Sequence, residues 1–91
     1  MEIRELDFSN CKSFLDLHKE IKTKLEFPEH YGMNWSALWD CLWEYYDFPV
    51  FIKIKGFNSL SHELLNSKEK IIEILERLVI ESNGFSYEII S

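Results

Sequence analysis

The chain has little of what small disulfide-stapled or metal-stapled domains use to hold themselves together. Its two cysteines, Cys11 and Cys41, lack a Cys-x-x-Cys spacing. That excludes a disulfide framework and a zinc knuckle, and two buried, reduced thiols are the expectation. Glycine and proline are scarce too, at three and two residues, so neither a disordered linker nor a collagen-like repeat fits. No apolar run approaches the roughly 18 residues of a membrane span. The opening MEIRELDF has no basic segment followed by an apolar stretch, as a signal peptide would. A cytoplasmic location is the resulting expectation. HExxH, the Walker A pattern and the dinucleotide-binding glycine pattern are absent, so no metal and no cofactor is expected.

Positive charge is missing from one interval. Lys24 is followed by no Lys or Arg until Lys53, while Glu26, Glu29, Asp40, Glu44 and Asp47 fall between them. The whole chain carries 16 acids against 10 Lys and Arg, a formal charge of −6. That balance argues against direct binding of nucleic acid and favours a basic protein as partner. All three Trp lie in the same interval, with Tyr31, Tyr45, Tyr46, Phe27, Phe48 and Phe51. Aromatic side chains serve either a core or an interface anchor, and here they coincide with the acids.

What is present is enough for one modest core: 91 residues, 46% of them apolar. One domain over residues 1–91 is the expectation. Glu2 to Asp7 reads as a first strand. From Ser13 the apolar residues Phe14, Leu17, His18, Ile21 and Leu25 recur at helical spacing, with Ser13 and Asp16 placed as a capping box and Pro28 closing the helix. Gly32 is expected to supply a backbone angle that other residues resist, and Asn34 to cap a second helix over 34–46. Val50 to Ile54 reads as a buried strand ended by Gly56. A weak helical segment over about 59–65 precedes a strong one over about 68–82, whose buried side is Ile71, Ile72, Ile74, Leu75, Leu78 and Val79. Phe85 to Ile90 supplies the last strand. The order predicts an α/β fold: a small three-stranded parallel sheet packed with about four helices, joined by right-handed crossovers. A mixed sheet, or two helices fused into one, is the structural alternative.

On a helix over 34–46, 100° per residue puts Ser36, Asp40 and Glu44 on one side and Leu38, Leu42, Trp35 and Tyr46 broadly opposite. Asp40 and Glu44 are like charges one turn apart with no cation nearby in the sequence, a repulsion that a basic ligand relieves. Trp39 is expected inward and Trp43 beside the acids. A protein-binding face competes here with an ordinary solvated one and with an enzyme site. Catalysis is the poorer fit: the turn-to-turn separation of Asp40 and Glu44 does not define a hydrolytic pair, and Cys41 turns away from the Asp40 side without a third group to orient His30. His18, on the apolar side of the first helix, reads as a partly buried structural residue, and His62 has no ligand set.

The segment Pro28-Glu29-His30-Tyr31-Gly32-Met33-Asn34-Trp35-Ser36-Ala37-Leu38-Trp39-Asp40-Cys41-Leu42 resembles the signature of the barstar family. Asp16-Leu17-His18, Tyr46-Asp47-Phe48-Pro49 and the order of elements extend the likeness over essentially the whole chain. The resemblance implies a barstar-like fold and inhibition of a bacterial extracellular-type ribonuclease by occlusion, with no catalytic residues of the chain's own. It implies a loop and helix entering the nuclease cleft, with Asp40 in a phosphate-binding position and His30, Tyr31, Gly32, Asn34, Ser36, Trp39 and Tyr45 around it; the acidic and aromatic face adds Glu29, Trp43 and Glu44 as partner-binding candidates. Glu76 is one candidate for an acid contributed by the last helix. Three positions depart from the best-known member: His30 stands for a tyrosine, Ser36 for an acid and Tyr45 for a tryptophan. A free monomer is expected. The alternatives are an acidic interaction or nucleic-acid-mimic module for a non-nuclease partner, and a small hydrolase.

Overall fold

A computed structural model describes residues 1–46 and 49–90; Asp47 and Phe48 of the Tyr46-Asp47-Phe48-Pro49 segment, and Ser91, lie outside the described residues. The element order is β1 (Glu2–Asp7), α1 (Phe14–Lys24), α2 (Trp35–Tyr45), β2 (Val50–Lys55), α3 (Leu65–Glu81) and β3 (Phe85–Ile89). The strands form one parallel sheet in the order β1-β2-β3. Leu6, Val50, Ile52, Ile54 and Phe85 are buried together with Leu17 and Ile21 of α1, Leu38 and Leu42 of α2, and Ile71, Leu75 and Leu78 of α3. The alternate residues Ile3, Glu5, Ser86 and Glu88 are exposed, so the helices cover one face and leave the other open.

The expected parallel α/β fold is present, with three α-helices among the described residues instead of about four. The weak segment over 59–65 is two 3-10 turns, Phe57–Ser59 and His62–Leu64, the second running straight into α3. Its apolar residues are too few and too irregularly spaced to fill a helical face, and Leu64 alone of that turn is buried. On α3 the buried stripe is narrower than expected: Ile72 and Ile74 are half-buried and Val79 is exposed.

Local chemistry fixes the entry to α2. Ser13 Oγ accepts from the Asp16 amide at 3.1 Å, and the Asp16 carboxylate accepts from the Lys12 amide at 3.0 Å, so α1 starts as the capping pattern predicts. It ends before Pro28 acts. The Phe27 amide bonds the Lys22 carbonyl and the Glu26 amide the Thr23 carbonyl, a Schellman turn with Glu26 left-handed at φ 55°. Arg4 reaches Glu26 at 2.6 Å, and the Tyr46 hydroxyl donates to the Leu25 carbonyl at 2.6 Å. The exit of α1 is thereby tied to β1 and to the end of α2, and the loop between the helices is held at both ends.

Gly56 ends β2 in the left-handed region at φ 87° and starts the first 3-10 turn. Phe57 then stacks on Phe8 with ring centroids 5.4 Å apart.

Candidate functional site

The loop 28–33 and α2 hold most of the residues singled out above. Asn34 caps α2: its Oδ1 accepts from the Ala37 amide at 2.8 Å while its Nδ2 donates to the Gly32 carbonyl at 3.1 Å. Asn34 thus joins loop to helix. Asn34→Ala is expected to cost about 1 kcal/mol of stability, read as a lowered urea midpoint; an unchanged midpoint would remove the cap from this account.

The left-handed residue of the loop is Met33, at φ 52°, and not Gly32. Gly32 answers a need for space: a Cβ there would meet Asn34 Nδ2 at 3.0 Å and the Ala37 Cβ at 3.4 Å. A side chain at position 32 would press on the cap, which is why glycine suits the position without an unusual φ.

Tyr31 also departs from expectation. It is only 5% exposed, and its hydroxyl lies 2.7 Å from Nδ1 of His18. Phe14 and Trp35 close around the His18 ring at 4.5 Å and 4.6 Å between centroids. Tyr31 therefore supports the loop from beneath and offers no surface. His18 is fully buried, beyond the partial burial expected, and its Nε2 has no hydrogen-bond partner among the described residues. Desolvation lowers its pKa to about 4, so the ring is neutral at pH 7.

On α2 the side chains divide as the helical phase predicts. Leu38, Cys41 and Leu42 are buried, Trp39 is half-buried against the core, and Ser36, Asp40, Trp43, Glu44 and Tyr45 are exposed. Trp43 meets Trp39 edge to face at 5.8 Å. Glu29, His30 and Gly32 are exposed on the loop, and Glu29 pairs with Lys22 at 3.2 Å. Among the described residues, neither Asp40 nor Glu44 takes part in an ion pair.

A cleft of about 430 Å³ opens between α2 and α3. Trp35, Ser36, Trp39 and Asp40 form one wall; Lys70, Glu73, Ile74 and Arg77 form the other. Trp35 thus edges the cleft instead of facing wholly away from Asp40. Glu76 is not in it: its carboxylate accepts a hydrogen bond from the Tyr87 hydroxyl of β3, and the acid that α3 brings towards Asp40 is Glu73. Spacing groups residues 70, 73, 74 and 77 on one helical face apart from 76, at i, i+3, i+4 and i+7, but which face of α3 meets α2 is set by the packing of the two helices. The Arg77 guanidinium carbon sits 4.5 Å from the centre of the Trp39 ring, and its Nε donates to Glu81 at 2.6 Å. The interval free of Lys and Arg is therefore met in space by two cations from elsewhere in the chain.

The thiols are not activated. Burial, then the charges of Glu44 and Asp40, pushes the Cys41 pKa up, the opposite of what a nucleophile needs. Cys11, half-buried and not fully buried as expected, is pushed up to about 11 mainly by desolvation. Among the described residues no cluster of three His, Cys, Asp or Glu could hold a metal ion, and no helix is long and apolar enough to cross a membrane.

Comparison with known proteins places this geometry. Residues 1–90 match the family described as "Barstar (barnase inhibitor)". The chain is 36% identical over 70 residues to a protein of Bacillus subtilis (strain 168) named "Putative ribonuclease inhibitor YrdF", covering 77% of this chain and 74% of that one. With a parallel three-stranded sheet, a capped second helix and a match over nearly its full length, the chain belongs to the barstar family.

Proposed function

We propose that this protein inhibits a ribonuclease of the bacterial extracellular type by plugging its basic active-site cleft with the surface of loop 28–33 and α2. The observation that carries the reading is Asp40: an exposed carboxylate, outside every ion pair among the described residues, on the same helix as the edge-to-face pair Trp39 and Trp43. Family membership and the name of the Bacillus relative support ribonuclease inhibition as the activity.

A ribonuclease cleft must carry cations that hold the RNA phosphate. A carboxylate offered at that position accepts the same charge-assisted hydrogen bonds from Arg or Lys. Occupying the site requires no turnover, so the chain acts by binding and needs neither cofactor nor catalytic residue. Glu29, His30 and Gly32 at the loop and Ser36, Glu44 and Tyr45 along α2 extend the contact around Asp40. Tyr31 supports that surface from beneath, and the exposed Asn34 ties the loop to α2. Acting on a nuclease that would otherwise damage the cell's own RNA is a role for the cytoplasm, and the protein acts there as a monomer.

The test is barnase, the enzyme named in the family's description. Equimolar protein is expected to suppress its hydrolysis of RNA. Asp40→Ala is expected to weaken binding by about 1.5–3 kcal/mol, roughly ten- to a hundredfold in Kd, as for hydrogen bonds to charged groups in general. Circular dichroism of the free variant should be unchanged, because Asp40 is exposed. Calorimetry giving an unaltered Kd for the variant would remove Asp40 from its role, and no suppression by the wild-type protein would overturn the inhibitor reading for this nuclease.

A further inference from the structure

We infer that the cleft between α2 and α3 takes a bipolar element of the partner, a cation set against Asp40 and a carboxylate set against Lys70 and Arg77. The inference rests on the inhibitor reading above and names the chemistry its partner must present. Two carboxylates, Asp40 and Glu73, and two cations, Lys70 and Arg77, line this opening. It is not the purely acidic socket that residues 26–47 imply when read alone.

The cations are held where a ligand would meet them. The exposed side chain of Arg77 lies over the Trp39 ring at 4.5 Å and donates from Nε to Glu81; among the described residues no hydrogen bond takes up its Nη groups, which are donors a carboxylate can accept from. The Glu81 contact is an exposed i,i+4 pair, which holds its partners only weakly. Lys70 stands about two turns before Arg77 on α3, its Nζ 3.7 Å from Glu73. That pair is as exposed as the one Arg77 makes with Glu81 and leaves Lys70 open to a ligand, whereas Asp40 has no ion pair among the described residues and is the carboxylate set for the partner's cation. A wholly cationic surface closing over this cleft would bury Arg77 and Lys70 against like charge, which is costly when water is excluded. A surface with an acidic group beside its phosphate-holding cations meets all these charges. The partner that fits is a ribonuclease with a carboxylate at the rim of its basic cleft.

Two blocked tripeptides differing in one charge, acetyl-Arg-Gly-Glu-amide and acetyl-Arg-Gly-Gln-amide, test this on the intact protein. Each is titrated while the Trp39 indole N–H is followed by NMR. The glutamate peptide is expected to bind about threefold more tightly, the scale of one exposed ion pair, and to lose that advantage as salt is raised. Arg77→Gln and Lys70→Gln should each reduce the advantage and together abolish it. Among the described residues it is Arg77 and not Lys70 that lies over the Trp39 ring, so the Lys70 variant separates charge from any movement of the ring. Equal binding of the two peptides, tighter binding of the glutamine peptide, no saturable shift with either, or an advantage that survives the double substitution would each overturn the inference. Barnase inhibition measured on the same sample keeps the two readings apart. Inhibition with equal peptide binding removes the bipolar cleft alone; discrimination between peptides without inhibition removes the barnase reading and leaves the cleft's charge preference standing.

Discussion

Gly56→Ala is expected to cost this protein about 3 kcal/mol of stability, from about 1–2 kcal/mol for a left-handed residue carrying a Cβ and a comparable cost for overpacking. Two independent obstacles meet at the position. The backbone there is left-handed at φ 87°, and an added Cβ would lie 2.3 Å from the Ser9 nitrogen and 2.7 Å from the Phe8 carbonyl carbon. Both neighbours are backbone at the end of β1. They cannot turn aside as a side-chain tip can, and shifting them would disturb the bond from the Phe8 amide to the Lys55 carbonyl at 2.9 Å. Substitution at Gly32 is milder by the same logic, since its nearest neighbour is the Asn34 side-chain amide. Urea unfolding of the two alanine variants beside the parent reads the difference. A Gly56→Ala midpoint equal to that of the parent would mean that β1 and the turn after β2 do not press together as described.

Acidification is expected to remove a comparable amount through one residue. In the unfolded chain His18 takes up a proton near its ordinary pKa of 6.5, whereas burial holds it neutral in the folded protein down to about 4. Between those values the unfolded state binds the extra proton, so stability falls as pH falls, by about 1.4 kcal/mol per pH unit at most and about 3 kcal/mol in all. The contribution is fully present above pH 6.5 and flattens below pH 4. Among the described residues no carboxylate pairs with the ring: Phe14 of α1, Tyr31 of the loop and Trp35 of α2 give it aromatic faces and one hydroxyl. Asp7 and Asp16 also have lowered pKa values, from hydrogen bonds that Ser9 and the Lys12 amide donate, and they act in the same direction at lower pH. His18→Gln therefore serves as the reference, expected to lose the part of the slope between pH 6.5 and 4. An NMR titration of the His18 ring with its midpoint near 6.5 would contradict this account.

The parts of the fold that depend on short-range pattern were legible in the sequence. The strand at Val50 to Ile54, the spacing of Leu17 with Ile21, and the caps at Ser13 and Asn34 each follow from chemistry within a few residues and each is present, although only Val50, Ile52 and Ile54 of that strand are fully buried and Phe51 and Lys53 are half-buried. What escaped depends on how elements cross. The family resemblance puts Tyr31 at the contact beside His30 and Gly32, yet its ring is taken up by His18, thirteen residues earlier in the chain. Glu76 and Arg77 are adjacent in sequence and separated by 100° of helix, so choosing which one meets Asp40 requires the rotation of α3 against α2. Met33 in the left-handed region had no signal at all: methionine gains nothing there, and the tie between Asn34 and Gly32 sets the local path.

The register of the sheet ties recognition to the stability of the whole chain. Glu2 pairs with Val50, and Val50 with Phe85, so no strand pairs with a neighbour close in sequence and the sheet forms only by closing two long loops. Such non-local pairing is slow and entropically costly. The first of those loops contains every residue from Glu29 to Tyr45 that the proposed partner would touch. A partner seated on α2 favours the closed loop and, by linkage, the strands at its two ends. Binding at this surface would reinforce the pairing of β1 with β2 and slow the chain's opening to proteases, although the partner touches neither strand.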